Sequence, residues 1–386
     1  MTPIYLDYNA TTPLDPTVVE AMLPYLREHY GNPSSTHSLG KTAHDAVEKA
    51  RQQVAQLLGA QTDEIVFTGG GTEASNLALK GSVFSHLPDQ FDRWVRQAHL
   101  VISAIEHPAT MKPCRFLIRL GCRLTVVPVD GQGLVDPDAV RKALESGARL
   151  VSIMHSNNEV GTLQPIKEIA ALTREHGALL HTDAAQSLGK VAVDVNDLGV
   201  DLLTLAGHKL YAPKGVGVLY VRRGVKLEPL LHGAGHEGGL RAGTENVPYL
   251  VGLGAACAIA HQGLPEATLK LRALRDRLWE RLRAGLGDRV VLNGHPEKRL
   301  PNTLNASFIG HIGAELLEKV PQIAASTGSA CHEGKISLSP VLSAMGVPPE
   351  IGRGALRLTV GRFTTAEQVD RAAELLIRAA KGETMP

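Results

Sequence analysis

Four places in this sequence carry side chains whose type and setting suit them to chemistry. Lys209, in Leu205-Ala206-Gly207-His208-Lys209-Leu210-Tyr211, directly follows an apolar strand-like run and precedes a glycine-rich stretch at 213–217. A lysine desolvated there has its pKa lowered and can form an imine with a carbonyl compound; a solvated loop lysine is the plainer reading. Asp183, in His181-Thr182-Asp183-Ala184-Ala185-Gln186, stands at the end of a buried strand. A carboxylate in that place is costly unless paired, and a protonated ring nitrogen is a partner that justifies it, although a helix N-cap would use the same residue.

Phe67-Thr68-Gly69-Gly70-Gly71-Thr72-Glu73 joins a strand candidate to a helix candidate at 74–80. Its glycines let backbone N–H groups approach an anion at a helix N-terminus, and Thr72 adds a hydroxyl. It has neither GxGxxG spacing nor the lysine of a P-loop, so an ordinary glycine-rich turn also fits. Cys331 lies among small residues, Ser326 to Gly334, with His332 beside it in sequence. Such a setting favours an accessible sulfur, and a touching histidine favours its thiolate. Cys114, Cys122 and Cys257 fall in helical or strand-edge contexts, where core packing is expected.

The elements that must position these residues alternate. Strand candidates at Ile65–Thr68, 100–103, 123–128, 150–154, 179–182, 202–205 and Gly217–Val221 are separated by amphipathic stretches such as 43–58, stopped by Gly59, and 167–176. The pattern predicts an α/β fold whose large domain has a mostly parallel central sheet covered by helices. After about residue 250 longer helical stretches, such as 269–286, alternate with strand candidates at Thr303–Phe308 and 355–360. A smaller α+β domain is expected there, giving a large cofactor-binding domain at 15–250 and a small one made of 1–14 and 251–386 that carries Cys331. Residues 87–97 read as a polar insertion.

Composition narrows the partners. Forty Lys and Arg against 39 Asp and Glu give a formal charge of +1, which supplies no field for nucleic acid or an anionic membrane surface. A small molecule or another protein is the expected partner. Without a basic-then-apolar start or eighteen consecutive apolar residues, a soluble cytoplasmic protein is expected. Four scattered cysteines without CxxC pairs argue against a disulfide scaffold or a zinc site.

Read together, the segments resemble the cysteine desulfurases, a group within the class V branch of fold-type I pyridoxal-phosphate enzymes. The resemblance runs nearly end to end. It is carried by Tyr5-Leu6-Asp7-Tyr8-Asn9-Ala10-Thr11-Thr12-Pro13, Gly31-Asn32-Pro33-Ser34-Ser35, Glu106-His107-Pro108, Asn157-Asn158-Glu159-Val160-Gly161-Thr162, the Asp183 and Lys209 motifs, Arg241-Ala242-Gly243-Thr244-Glu245-Asn246, Gly328-Ser329-Ala330-Cys331 and Gly361-Arg362-Phe363-Thr364-Thr365.

The resemblance implies pyridoxal 5'-phosphate as cofactor and L-cysteine as substrate. It makes Lys209 the Schiff-base lysine, Asp183 the partner of the pyridine nitrogen, and His107 the histidine that stacks on the ring and handles protons. It places Asn158 and Gln186 on the phenolic-oxygen side, and Gly71, Thr72 and His208 at the phosphate. Thr244 would reach the phosphate of a neighbouring subunit, which implies a homodimer. Arg357 would fork onto the substrate carboxylate, helped by Asn32. Cys331 would take the sulfur as a persulfide, leaving L-alanine, and pass it to an acceptor or scaffold protein for iron–sulfur cluster or thio-cofactor synthesis. No resident metal is implied, with Cys331 a candidate transient cluster ligand only.

Three departures from the family pattern bear on this reading. Ala206 stands where a serine is common, which removes a phosphate contact worth about 0.5–1.5 kcal/mol if nothing replaces it. Gly238 stands where an arginine is common. Cys331-His332-Glu333-Gly334-Lys335 and Ser339-Pro340-Val341-Leu342 look more like selenocysteine lyases. Selenocysteine lyase, or another pyridoxal-phosphate C–S lyase, is therefore the alternative. Two further rivals are a lyase or aminotransferase in which Cys331 is incidental and a non-catalytic sulfur-carrier scaffold. Lys209, Asp183 and His107 together speak against the scaffold.

Overall fold

The computed structural model describes residues 3–85, 98–327, 329–332 and 335–383, with 329–332 and 335–337 described by their backbone. The polar insertion at 87–97 lies outside the described residues. A short strand β1 (Ile4–Tyr5) precedes helices α1 (Pro16–Arg27) and α2 (Ser38–Leu58). On α2, Ala43, Ala46, Val47, Ala50, Val54, Leu57 and Leu58 recur at helical spacing and are all buried. Gly59 ends the helix at φ 68°, a left-handed conformation open to glycine.

Then follow β2 (Ile65–Thr68), α3 (Gly71–Asn76), β3 (His99–Ser103), α4 (Pro108–Arg119), β4 (Arg123–Val127), β5 (Leu150–Ser152), β6 (Leu179–Asp183), β7 (Leu202–Ala206) and β8 (Gly217–Val221). The seven strands form one sheet in the order β2-β8-β7-β6-β5-β3-β4. From β7 to β4 every pairing is parallel, while β8 runs against both its neighbours. Alternate residues feed opposite faces. Val101, Val151, Leu203 and Val218 pack with α1 and α2, whereas Leu100, Ile102, Leu202 and Leu219 join the helices of the other side. A sheet buried on both faces needs apolar residues at both parities, which is why these strands read as continuous apolar runs.

The chain passes from β3 outward to β4 and then returns to β5 on the other side of β3. Such a reversal opens a crevice at the carboxyl ends of the strands, where ligands of open α/β sheets bind. Residues 104–107, 153–158, 183–186 and 207–209 all leave strands at that end.

Helix α5 (Val247–Leu286) spans 40 residues, about 60 Å at helical rise, with Pro265 inside it. It begins well before the 269–286 segment expected from sequence, because its middle is largely solvent-facing and its apolar pattern lapses there. Leu250, Leu253, Ala256 and Cys257 belong to the core under the large sheet, whereas Leu271, Leu274, Leu278 and Leu282 belong to a second core. The stretch Val247–Arg289 is long and apolar enough by composition to cross a membrane, and in the fold those apolar side chains serve these two cores.

The second core also takes side chains from β9 (Val290–Asn293), β10 (Thr303–Phe308), β11 (Ile323–Ala324), β15 (Ala355–Thr359) and helix α6 (Ala366–Lys381), with β12 (Ser326–Thr327) completing an antiparallel sheet in the order β12-β15-β10-β9. Strand β1 pairs with β11, Asp7 bridges to Thr359, and Leu6 is fully buried in this core, so the N-terminal segment is part of it. Between β12 and β15, β13 (Ser329–His332) and β14 (Lys335–Leu338) form a hairpin in which Cys331 faces Ile336 in register.

Because Leu253 is fully buried where α5 meets the large core, Leu253→Ala should cost about 2–5 kcal/mol of stability by urea denaturation. A loss under 1 kcal/mol would show that this contact is not tightly packed.

Candidate active site

A cavity of about 690 Å³ opens at the crevice, and Gly71, Thr72, His107, Asn158, Asp183, Gln186, His208, Lys209 and Arg357 all line it. Nine residues named from the sequence are thus brought to one space. Lys209 ends a 3-10 turn (Gly207–Lys209) directly after β7. Its Nζ donates to the carbonyl oxygens of Asn9 and Ala10, each at 2.6 Å. Burial, reinforced by the Arg357 charge, lowers its pKa to about 8.

Asp183 closes the adjacent strand β6 and is 8 % exposed. Its Oδ1 accepts from the Ala185 N–H at 3.0 Å, so the carboxylate also caps the following turn. The buried-charge reading holds, whereas no helix follows for Asp183 to cap: residues 185–190 are a turn, and the Ala185 contact is local to it. Burial raises its pKa, while the Ala185 N–H, His107 and Lys209 pull the other way. A carboxylate so placed is stabilised by any cation brought into the cavity.

His107 caps α4: its Nδ1 accepts from the Ala109 N–H at 3.1 Å. Burial lowers its pKa. A neutral ring with Nδ1 accepting carries its proton on Nε2. His208 is also held neutral, its pKa lowered to about 4 by burial and by Lys209, with Nδ1 3.1 Å from Thr11 Oγ1.

On the opposite wall the glycine turn enters α3, which continues through a π-helical turn (Leu77–Gly81). Gly70 sits at φ 144°, a conformation barred to other residues, with open space where a Cβ would stand. A side chain on Gly71 would come within 3.1 Å of the Ala206 Cβ, so this corner is shaped by the absence of side chains. Gln186 is buried, with Nε2 donating to the Asn9 carbonyl at 2.9 Å. Arg357, on β15, donates through Nη2 to Asp7 Oδ1 at 2.7 Å.

Two expected residues are not gathered with the others. Asn32 and Thr244 line a separate cavity of about 1160 Å³, bounded also by Arg51 and Glu237. The Glu237 carboxylate is fixed there by both Arg51 Nη atoms at 2.8 and 2.9 Å and by the Phe67 N–H at 2.8 Å, and Gly238 follows at φ 63°. The Cys331 side chain lies outside the described residues. The other three cysteines are buried, with burial raising Cys114 to about 12, Cys122 to about 11 and Cys257 higher still, so none is a thiolate at neutral pH.

Several participants escaped the sequence reading. The Asn9 and Ala10 contacts run through backbone oxygens, which leave no mark on residue type. Lys190, 5 % exposed, donates to the Gln186 carbonyl at 2.9 Å and to its Oε1 at 3.2 Å, fixing which way that amide points. Glu106 is buried beside His107, accepts from Ser103 Oγ at 2.6 Å and the Met154 N–H at 2.9 Å, and is raised to about 8 by burial. Glu106 was visible in the Glu106-His107-Pro108 motif, but only its histidine has an obvious chemical use.

A lysine titrating near 8 has roughly a hundred times the neutral fraction of an ordinary surface lysine at pH 8. In cofactor-free protein, limiting acetylation at pH 8 should therefore modify Lys209 ahead of exposed lysines such as Lys319, as read by peptide mass spectrometry. Labelling of Lys209 no faster than Lys319 would contradict its depressed pKa.

Comparison with known proteins agrees with this geometry. The sequence profile of the aminotransferase class-V family matches residues 4–372. Cysteine desulfurase IscS of Methanosarcina thermophila is 47% identical over 376 residues, 97% of this chain and 91% of that protein. Cysteine desulfurase IscS of Dictyoglomus turgidum is 44% identical over 377 residues, 97% of this chain and 94% of that protein. A solved NifS-like protein superposes with a TM-score of 0.90 at 36% identity, covering 99% of this chain and all of that one. The structure of SspA in complex with cysteine superposes with a TM-score of 0.81 at 35% identity, covering 94% of this chain and 99% of that one. Profile, relatives and fold converge over nearly the whole chain, which belongs to the aminotransferase class-V family and, within it, to the cysteine desulfurases.

Proposed function

We propose that this protein converts L-cysteine to L-alanine, holding pyridoxal 5'-phosphate in the cavity at the crevice and passing the sulfur through Cys331 to an acceptor. The observation that carries the reading is the pairing of a desolvated Lys209 with a buried Asp183 at the ends of adjacent parallel strands, inside one cavity. The residues fit the cofactor. Lys209 would hold its carbonyl carbon, Asp183 its ring N–H, His107 its face, Asn158 and Gln186 its phenolic oxygen, and Gly71, Thr72 and His208 its phosphate. Ala206 offers no hydroxyl there. When bound, the cofactor supplies an electron sink for the charge left as the substrate's Cα–H bond breaks.

The chain's own groups do the rest. Arg357 binds the substrate carboxylate and fixes which bond at Cα faces Lys209. The Lys209 amine, neutral above about pH 8, would remove the Cα proton. Neutral His107, with its proton on Nε2, would pass protons within the cavity. Cys331 thiolate then attacks the substrate sulfur. A sulfur–sulfur bond forms and the Cβ–S bond breaks. Its electron pair stays on the carbon skeleton, is protonated and yields L-alanine, with Cys331 left as a persulfide for an acceptor thiol or scaffold protein.

The same proposal includes a homodimer, in which Thr244 reaches the phosphate of the neighbouring subunit's site. We also divide the chain into a cofactor-binding domain, 15–250, and a small domain of 1–14 and 251–386, with α5 shared by the two cores. Cytoplasmic residence and supply of iron–sulfur or thio-cofactor synthesis belong to the proposal.

Parallel turnover of L-cysteine and L-selenocysteine, following alanine with sulfide or selenide, tests it. Cys331→Ala should lose cysteine turnover by at least about a hundredfold. Full retention of both activities would sink the role of Cys331 and leave a lyase centred on Lys209.

A further inference from the structure

We infer that Asp7 is a positioning residue, which fixes the plane of the Arg357 guanidinium so that it meets a substrate carboxylate ready-made; this rests on the reading of Arg357 given above. Arg357 stands on β15 in register with Ser326 of β12 on one side and Asn305 of β10 on the other. Its Nη2 donates to Asp7 Oδ1 at 2.7 Å and to Ser326 Oγ at 3.0 Å, and Ser326 Oγ donates to Asp7 Oδ2 at 2.9 Å. Three groups thus close a triangle around one end of the guanidinium. Nη1 donates to the Asn158 carbonyl at 3.3 Å.

Nε of Arg357 is buried and has no acceptor among the described residues. A guanidinium carries five donors, and the contacts to Asp7, Ser326 and Asn158 use three, so the residue keeps donor capacity for an acceptor that arrives with a ligand. Arg357 lines the cavity and Asp7 does not, so the aspartate grips the guanidinium from outside the cavity wall. Asp7 is itself rigidly placed. It bridges to Thr359, its carbonyl accepts from Tyr5 Oη at 3.1 Å and from the Ala10 N–H at 2.9 Å, and the preceding Leu6 carbonyl accepts from the Thr359 N–H at 2.7 Å. Arginine has many rotamers. Fixing them during folding, by an aspartate anchored to the same strand, removes that ordering cost from substrate binding.

Asp7 also lies three residues before Ala10, whose carbonyl holds Lys209, so one short segment sets both the carboxylate-binding group and the amine.

The test uses holoenzyme and two probes that share a thiol. One, 3-mercaptopropionate, has the carboxylate but no amine; the other, cysteamine, has the amine but no carboxylate. In Asp7→Asn the KM for L-cysteine and the inhibition constant of 3-mercaptopropionate should each rise about tenfold, while kcat and the inhibition constant of cysteamine stay within about twofold. Ser326→Ala, which removes the bridging hydroxyl without removing a buried charge, should shift the same two constants in the same direction by a smaller factor. Equal losses for both probes would overturn the inference, since that is what a merely structural role gives. Tighter binding of 3-mercaptopropionate by Asp7→Asn would also overturn it, because Asp7 would then be competing with the substrate. Arg357→Lys separates the two levels: discrimination lost there but kept in Asp7→Asn refutes the Asp7 role alone, and discrimination kept in Arg357→Lys refutes the carboxylate role of Arg357.

Discussion

Burying an ammonium and a carboxylate at the carboxyl ends of two adjacent parallel strands is the constraint on which this structure turns. Asp183 and Lys209 leave β6 and β7 side by side, and each is desolvated by the same crevice. Burial pushes the carboxyl up and the amine down, and their mutual attraction opposes both shifts. A site of this kind is costly unless its charged groups are met, and the surrounding residues meet them. Two backbone carbonyls take the Lys209 amine, the Ala185 N–H takes Asp183, and neutral histidines at 107 and 208 add no further charge.

The carbonyls that hold Lys209 come from the N-terminal segment, whose Leu6 is packed in the second core. Asn9, 1 % exposed, ties the segment across the site. Its Nδ2 donates to the Asn158 carbonyl at 3.1 Å and to Thr303 Oγ1 at 2.9 Å, and its Oδ1 accepts from Asn302 at 3.0 Å. The large sheet supplies the chemistry-bearing ends, and the smaller sheet holds the clamp and the carboxylate-binding arginine. Helix α5, with one half in each core, keeps the two in register.

Strand identity was legible because strands buried on both faces read as unbroken apolar runs, and α2 was legible because its apolar stripe ends at a glycine. The full length of α5 was not, since its exposed middle has no stripe to follow. Lys209, Asp183 and His107 were legible because a reactive side chain at the end of an apolar run is a conspicuous expense that needs a purpose. Asn9, Ala10 and Asp7 were quoted as part of a motif without roles, because their work is done through backbone oxygens and a contact 350 residues distant in the chain. Asn32 and Thr244 show the reverse case: the resemblance gave them roles at a site from which one folded chain keeps them apart.

Reduction with borohydride followed by peptide mapping tests the central claim most directly. Purified protein with a visible absorption band should lose that band on reduction and carry a pyridoxyl group on Lys209. A label on Lys190 or another lysine, or protein that binds no pyridoxal 5'-phosphate at all, would contradict the assignment of Lys209 and Asp183 as the two ends of the cofactor site.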